Sequence, residues 1–252
     1  MKRFYIVVII LMAVLCVRAQ QYTATEGLLH VPSADIDTAG TMRVGIHLIP
    51  KTMMPDGMAV DGEKYNSASY YIGVSLFNWL EVSFVEVMWK FHHDLDPSQP
   101  VGFYSKDRHL SAKLRLLKEG EYWPSVAVGS DELFGSGEDG KSYSDNFQNY
   151  YATVTKHINI GGYDIGAALT YRKWRRDYMK KYNGLVGGIT FRPAFYKPLR
   201  LIAEWDGSEA NIGADCRVTI PMGKFRPFLL LQASLLDCKH FFGGACIGIP
   251  LK

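Results

Sequence analysis

The chain has 252 residues, with 28 Lys and Arg against 25 Asp and Glu and a formal net charge of only +3. That balance, with no basic stripe interleaved with aromatics, excludes a nucleic-acid partner. The mean hydropathy is mildly negative, as expected of a barrel in which only alternate residues meet lipid.

Lys2 and Arg3 form a short basic region, Phe4 to Val17 is apolar, and Val17-Arg18-Ala19 suits a signal peptidase. Residues 1–19 therefore read as a signal peptide cleaved after Ala19. The apolar run is too short to span a bilayer, and no second one follows. Cys16 follows Leu15, where a lipobox calls for Gly, Ala or Ser, which argues against lipidation. Residues 20–39 read as a periplasmic segment or a lumen plug.

From residue 40 to 252 the chain alternates apolar and polar residues in segments of about ten, the signature of half-buried strands. Met42, Val44, Ile46 and Leu48 oppose Arg43, Gly45 and His47. Ala68, Tyr70, Ile72, Val74 and Leu76 share the next apolar face. Leu110, Ala112, Leu114 and Leu116 oppose Ser111, Lys113 and Arg115. Ile165, Ala167, Leu169 and Tyr171 form another set, and Ala210, Ile212, Ala214, Cys216 and Val218 the last clear one. Weaker alternation runs through 80–91, 124–130, 148–157, 184–192, 198–206, 225–236 and 241–250. The connections 50–64, 92–107, 131–147 and 173–182 are long. Those at 77–79, 118–123, 158–162 and 193–197 are short.

The predicted fold is all-β: a closed antiparallel transmembrane barrel of about 12 strands, with short turns and both termini on the periplasmic side. A soluble sandwich or lipocalin-like barrel alternates too, but points its apolar residues inward. Segment length, polar faces rich in Gly, Ser, Thr and paired charges, and aromatics near segment ends, such as Tyr70, Trp79, Trp123 and Trp205, favour the membrane and place the protein in the outer membrane.

Candidate chemistry is sparse. His240 and Ser234 lie near one rim, without an orienting partner for nucleophilic catalysis. His92, His93, Asp94 and Asp96 read as a solvated loop. Gly135-Ser136-Gly137 lacks the Lys and the following helix of a phosphate loop. The mature chain holds Cys216, Cys238 and Cys246, without CxxC or zinc spacing, so no metal, cofactor or catalytic residue is expected. Lys173, Arg175, Arg176, Lys180 and Lys181 crowd one outer loop. There they could contact lipopolysaccharide phosphates or an anionic glycan, or simply be solvated. Lys113, Arg115, Arg200, Glu204, Asp215 and Arg217 face the lumen, as do Lys156, Arg172 and Asp206. They form either a structural network or a translocation path.

Asp206-Gly207-Ser208-Glu209 reads as a two-residue hairpin with Gly207 first in a type II′ turn. That register pairs Arg200 with Asp215, Ile202 with Gly213 and Glu204 with Asn211. Asp206 and Glu209, like charges side by side, should splay apart or recruit a cation. Tight turns at Met222-Gly223 and Cys238-Lys239 put Cys216 and Cys246 one strand apart, too far for a disulfide.

Two stretches go beyond pattern. One is Gly27-Leu28-Leu29-His30-Val31-Pro32-Ser33-Ala34, followed by Asp37 and Gly40. The other runs from Leu114 through a Glu119-Gly120 turn and Pro124 to Gly129, with Asp131 after it. These, with Tyr150 to Lys156 and Ile202-Ala203-Glu204-Trp205-Asp206, resemble the YjbH-like family. The resemblance implies a non-catalytic outer-membrane barrel with a structural or transport role in exopolysaccharide or capsule secretion or assembly. Its implied surroundings are outer-membrane lipid and lipopolysaccharide, with polysaccharide-secretion proteins as partners. A barrel enzyme acting on lipid or peptide, or a porin-like passive channel, is the alternative.

Overall fold

The computed structural model describes residues 19–21, 24–135, 145–223 and 226–251. The predicted signal peptide up to residue 18, with Cys16, and Ser136 and Gly137 lie outside the described residues.

Two short strands, β1 (Ala19–Gln20) and β2 (Glu26–Gly27), pair with each other. Twelve more follow: β3 (Thr41–Ile49), β4 (Ser67–Phe77), β5 (Leu80–His92), β6 (Val101–Leu117), β7 (Ser125–Gly135) and β8 (Asn149–Ile160), then β9 (Tyr163–Trp174), β10 (Gly184–Arg192), β11 (Leu199–Trp205), β12 (Ala210–Thr219), β13 (Phe228–Leu236) and β14 (His240–Pro250). Each pairs antiparallel with its sequence neighbour, and β14 closes on β3, with Cys246 opposite Gly45. Closure leaves no strand edge to expose backbone polar groups in hydrocarbon.

The predicted lipid-facing residues all face outward. Val44 is 44% exposed, Ile72 49% and Ile212 45%, and Leu114 and Ala167 are exposed as well. Arg43, Glu81, Lys113, Arg172, Arg200, Glu204 and Asp215 are buried inside. An apolar wall around a charged interior is what a lipid solvent selects and what water would oppose, so this is a membrane barrel and not a soluble one.

Connection lengths depart from the sequence reading at several points. The long connection expected at 92–107 shrinks to 93–100, because Val101 and Gly102 pair with His92 and Phe91 and extend the hairpin. Strand β7 likewise continues to Gly135. The turn after β8 is Gly161-Gly162, both at positive φ, the geometry of a two-residue hairpin. The tight turn expected at Met222-Gly223 is instead a connection over 220–227 between β12 and β13.

Several in-strand glycines mark close approach. The Tyr71 ring lies over Gly45, and the Tyr151 ring over Gly129 on the neighbouring strand, where any Cβ would collide.

The long loops fold back into the barrel mouth. Met54 and Met58 from 50–66, with Met179 and Tyr182 from 175–183, pack against Trp89, Phe147 and Trp174 in one buried apolar cluster. The basic loop is therefore only half solvated: Met179 is 3% and Tyr182 4% exposed.

Candidate functional site

Residues 24–37, which lack strand periodicity, run through the barrel interior and are buried throughout. Beyond the short β1–β2 pair and one bridge from Gly27 to Pro32, the segment's backbone N–H and C=O groups have no helix or sheet to satisfy them, so side chains must do so. The inward-facing strand residues supply those partners in two clusters.

The first gathers around Glu26. Arg43 on β3 pairs with both Glu26 and Glu81. The Glu81 carboxylate on β5 accepts the Glu26 N–H at 3.1 and 3.2 Å. Lys113 on β6 lies 3.2 Å from Glu81 and donates to the Glu26 carbonyl at 2.6 Å and the Ser33 carbonyl at 3.2 Å. Two cations thus meet two carboxylates with no net charge, all fully buried.

The second cluster holds Gly27 to Val31. The Glu204 carboxylate accepts the N–H groups of Leu29 at 3.0 Å, His30 at 2.8 Å and Val31 at 3.2 Å. Asn211, opposite Glu204 as the hairpin register requires, donates to Glu204 at 3.2 Å and to Asp206 at 3.0 Å. Arg172 donates to the carbonyls of His30 and Asp206 at 2.9 and 3.0 Å. Arg200 forms its ion pair with Asp215 at 2.9 Å and reaches the Gly27 carbonyl at 3.0 Å. Thr153 and Thr170 both donate to the Pro32 carbonyl. At the far end Arg217 pairs with Asp37 at 3.3 Å.

Asp206 is 2% exposed, whereas Glu209 is half-buried. Asp206 turns inward, 3.0 Å from His30 Nδ1, while its other oxygen accepts the N–H groups of Ser208 and Glu209. Burial would raise the Asp206 carboxyl, but the His30 contact and these N–H groups hold it well below the usual carboxylate range.

The predicted lumen residues thus divide. Lys113, Arg200, Glu204, Asp215 and Arg217 line the path of the N-terminal segment, as Arg172 and Asp206 do. Arg115 stands apart at the short-turn rim, with its guanidinium on the Asn78 carbonyl. Lys156 is there too, on the carbonyls of Gly120 and Glu121. Arg43, Glu81 and Glu26 were missed as members. Arg43 lay on a recognised polar face, but its partners come from a weak strand and a segment without periodicity. One small cavity beside Leu28, Ser33, Thr155 and Arg200 measures about 10 Å³, close to the space of one water.

The other candidates do not converge. Ser234 donates to the Phe242 carbonyl from inside the barrel, while His240 is exposed at a hairpin tip. His92 is held between the Gln99 carbonyl and Asp61, and His93 contacts Asp94. In the basic loop, Arg175 and Arg176 pair with Asp145, and Lys180 with Asp177. Lys173 and Lys181 are exposed.

Cys216, Cys238 and Cys246 are unbridged. Cys216 pairs across to Leu231 and Cys246 to Leu230, so β13 separates them. Three thiols should react with maleimide after denaturation without reductant. In the folded protein the exposed Cys238 should label first and the buried Cys246 last. Mass spectrometry showing an intramolecular bridge would refute this register.

The family model described as exopolysaccharide biosynthesis protein YbjH matches residues 19–211. No curated protein matches the chain in sequence. Among solved structures, an outer membrane channel from Pseudomonas putida is 13% identical, with a TM-score of 0.41 over 86% of this chain and 97% of that one. Outer membrane phospholipase A from Escherichia coli is 12% identical, with a TM-score of 0.32 over 82% of this chain and 95% of that one. The Salmonella typhi outer membrane phospholipase dimer with bound calcium is 10% identical, with a TM-score of 0.34 over 82% and 89%.

Proposed function

The chain belongs to the YjbH exopolysaccharide biosynthesis family, and from that premise we propose that it is a non-catalytic outer-membrane barrel whose residues 20–39 plug the lumen. The resting barrel then serves a structural or gated-transport role in exopolysaccharide secretion or assembly and does not leak small solutes. In this reading the short turns are periplasmic and the long loops extracellular.

One observation carries the proposal. Six inward side chains from five strands bond the backbone of the N-terminal segment: Glu81, Lys113, Thr153, Arg172, Arg200 and Glu204. A wet, open pore has no need to cradle a peptide backbone, and a catalytic site would aim such groups at an empty space. Motion of this segment would be the gate.

The test is electrical. Wild-type protein in a planar bilayer should show at most rare, small openings. Arg172→Ala combined with Arg200→Ala removes donors to the His30 and Gly27 carbonyls and should raise the open time several-fold. In cells the same double variant should sensitise the envelope to small antibiotics. Steady wide conductance from wild-type protein would sink the plug and favour the passive channel.

A further inference from the structure

We infer that Asp107, His109 and Glu132 form a binding site for one divalent transition-metal ion at the loop end of the barrel interior. None of the three contacts the N-terminal segment through the bonds described above, so the site is separate from the cradle.

The site begins with an irregularity in the sheet. Strands β6 and β7 pair Leu110 with Phe134 and Ala112 with Ser130. Asp131, Glu132 and Leu133 therefore stand opposite Ser111 alone. Regular alternation would send one of two successive acids out to lipid. This bulge instead buries both Asp131 and Glu132, with Glu132 at φ 55°. A non-glycine residue in the left-handed region costs free energy, so the bulge holds Glu132 inward against a local preference.

The result is one donor atom from each of Asp107, His109 and Glu132, all within 4.8 Å of one another, and all three residues buried. Ligands about 2.0–2.2 Å from a bound ion lie up to roughly 4.4 Å apart, so the three need little movement to close on one. Their outer contacts are already made. His109 Nδ1 lies 3.1 Å from Asp107 Oδ1, close enough for both atoms to reach one ion. Asn146 donates to Asp107 Oδ2 at 3.0 Å, and the Phe147 N–H to Glu132 Oε2 at 2.7 Å.

Glu132 Oε1 is buried without a hydrogen-bond partner. A buried carboxylate oxygen without a donor is costly unless something electron-poor lies beside it. The nearby Asp145 has its own counter-charge in Arg176. A dication balances Asp107 and Glu132, and the imidazole selects zinc-like ions over calcium or magnesium, which prefer all-oxygen sites. The outward pair Glu86 and Arg108, 2.9 Å apart, flanks this level of β5 and β6, above the apolar belt.

The experiment uses the full mature barrel in detergent, without an affinity tag, stripped by chelator and dialysed. Zn²⁺ is titrated by calorimetry and Co²⁺ by visible absorption. One ion per chain is expected, with His109→Gln and Glu132→Gln each weakening binding at least ten-fold. His240→Gln, at an exposed hairpin tip, should bind as wild type does. Circular dichroism checks that each variant is folded, and Asp107→Asn replaces any that is not. A bridging water in place of a metal would leave wild-type protein without stoichiometric binding. That result, or affinities unchanged in His109→Gln and Glu132→Gln, would overturn the inference.

Discussion

Replacing Glu204 by Ala is expected to free residues 27–34 from the barrel wall while leaving the barrel folded. One carboxylate accepts three successive backbone N–H groups, from Leu29, His30 and Val31. Removing it strands three donors in a buried space, each costing about 1–3 kcal/mol if no water reaches it. Even about 3 kcal/mol in total corresponds to a roughly hundred-fold shift of the docking equilibrium. The strands lose no ladder hydrogen bonds, so the secondary structure should hold. Hydrogen exchange followed by mass spectrometry should show amides 27–34 losing about two decades of protection, with those of β5 and β9 unchanged. Glu204→Gln keeps one carbonyl oxygen in place and should lose far less. Equal protection in Glu204→Ala and wild type would show that the segment is held by other means.

Arg43→Met should be the most destabilising single change in the interior. The guanidinium stands between Glu26 and Glu81, all fully buried. Its loss leaves two carboxylates sharing only Lys113. Breaking one partner out of a buried charge cluster typically costs about 3–5 kcal/mol, because the remaining charge is neither solvated nor paired. Adding Glu81→Leu restores neutrality, with Lys113 and Glu26 left to meet each other. The double variant should therefore recover part of the loss, a coupling of about 2 kcal/mol in a double-mutant cycle. Urea unfolding in detergent reads both. An Arg43→Met barrel within about 1 kcal/mol of wild type, the scale of an exposed pair, would mean that water reaches the cluster.

The chain itself determined the barrel wall. Alternation is a local property, because a strand has a period of two whatever lies beside it. Hence Val44, Ile72, Leu114, Ala167 and Ile212 fall on the apolar faces by alternation, and segment length, the polar faces and the aromatics near segment ends turn those faces to lipid. A tight turn also carries its register with it. Gly207, at φ 103°, sets the hairpin that pairs Arg200 with Asp215 and Glu204 with Asn211; Cys216 and Cys246 stay apart because β13 lies between their strands, although the tight turn expected before it is absent. The family-like residues at 27–34 were visible too, though not their place in the lumen.

Only the closed structure decided which inward charges meet. Glu204 and Glu81 reach backbone that lies between 55 and 175 residues away in sequence, and no periodic signal links them. Residues 24–37 have no pattern because their partners are backbone-to-side-chain bonds, which depend little on what the segment's own side chains are. The β7 bulge was equally hidden. A strict two-residue period puts Asp131 and Glu132 on opposite faces, and only the mismatch with β6 brings both inside. Local periodicity tells each residue which side of the wall it faces. Closure of twelve strands around a threaded segment decides what it touches there.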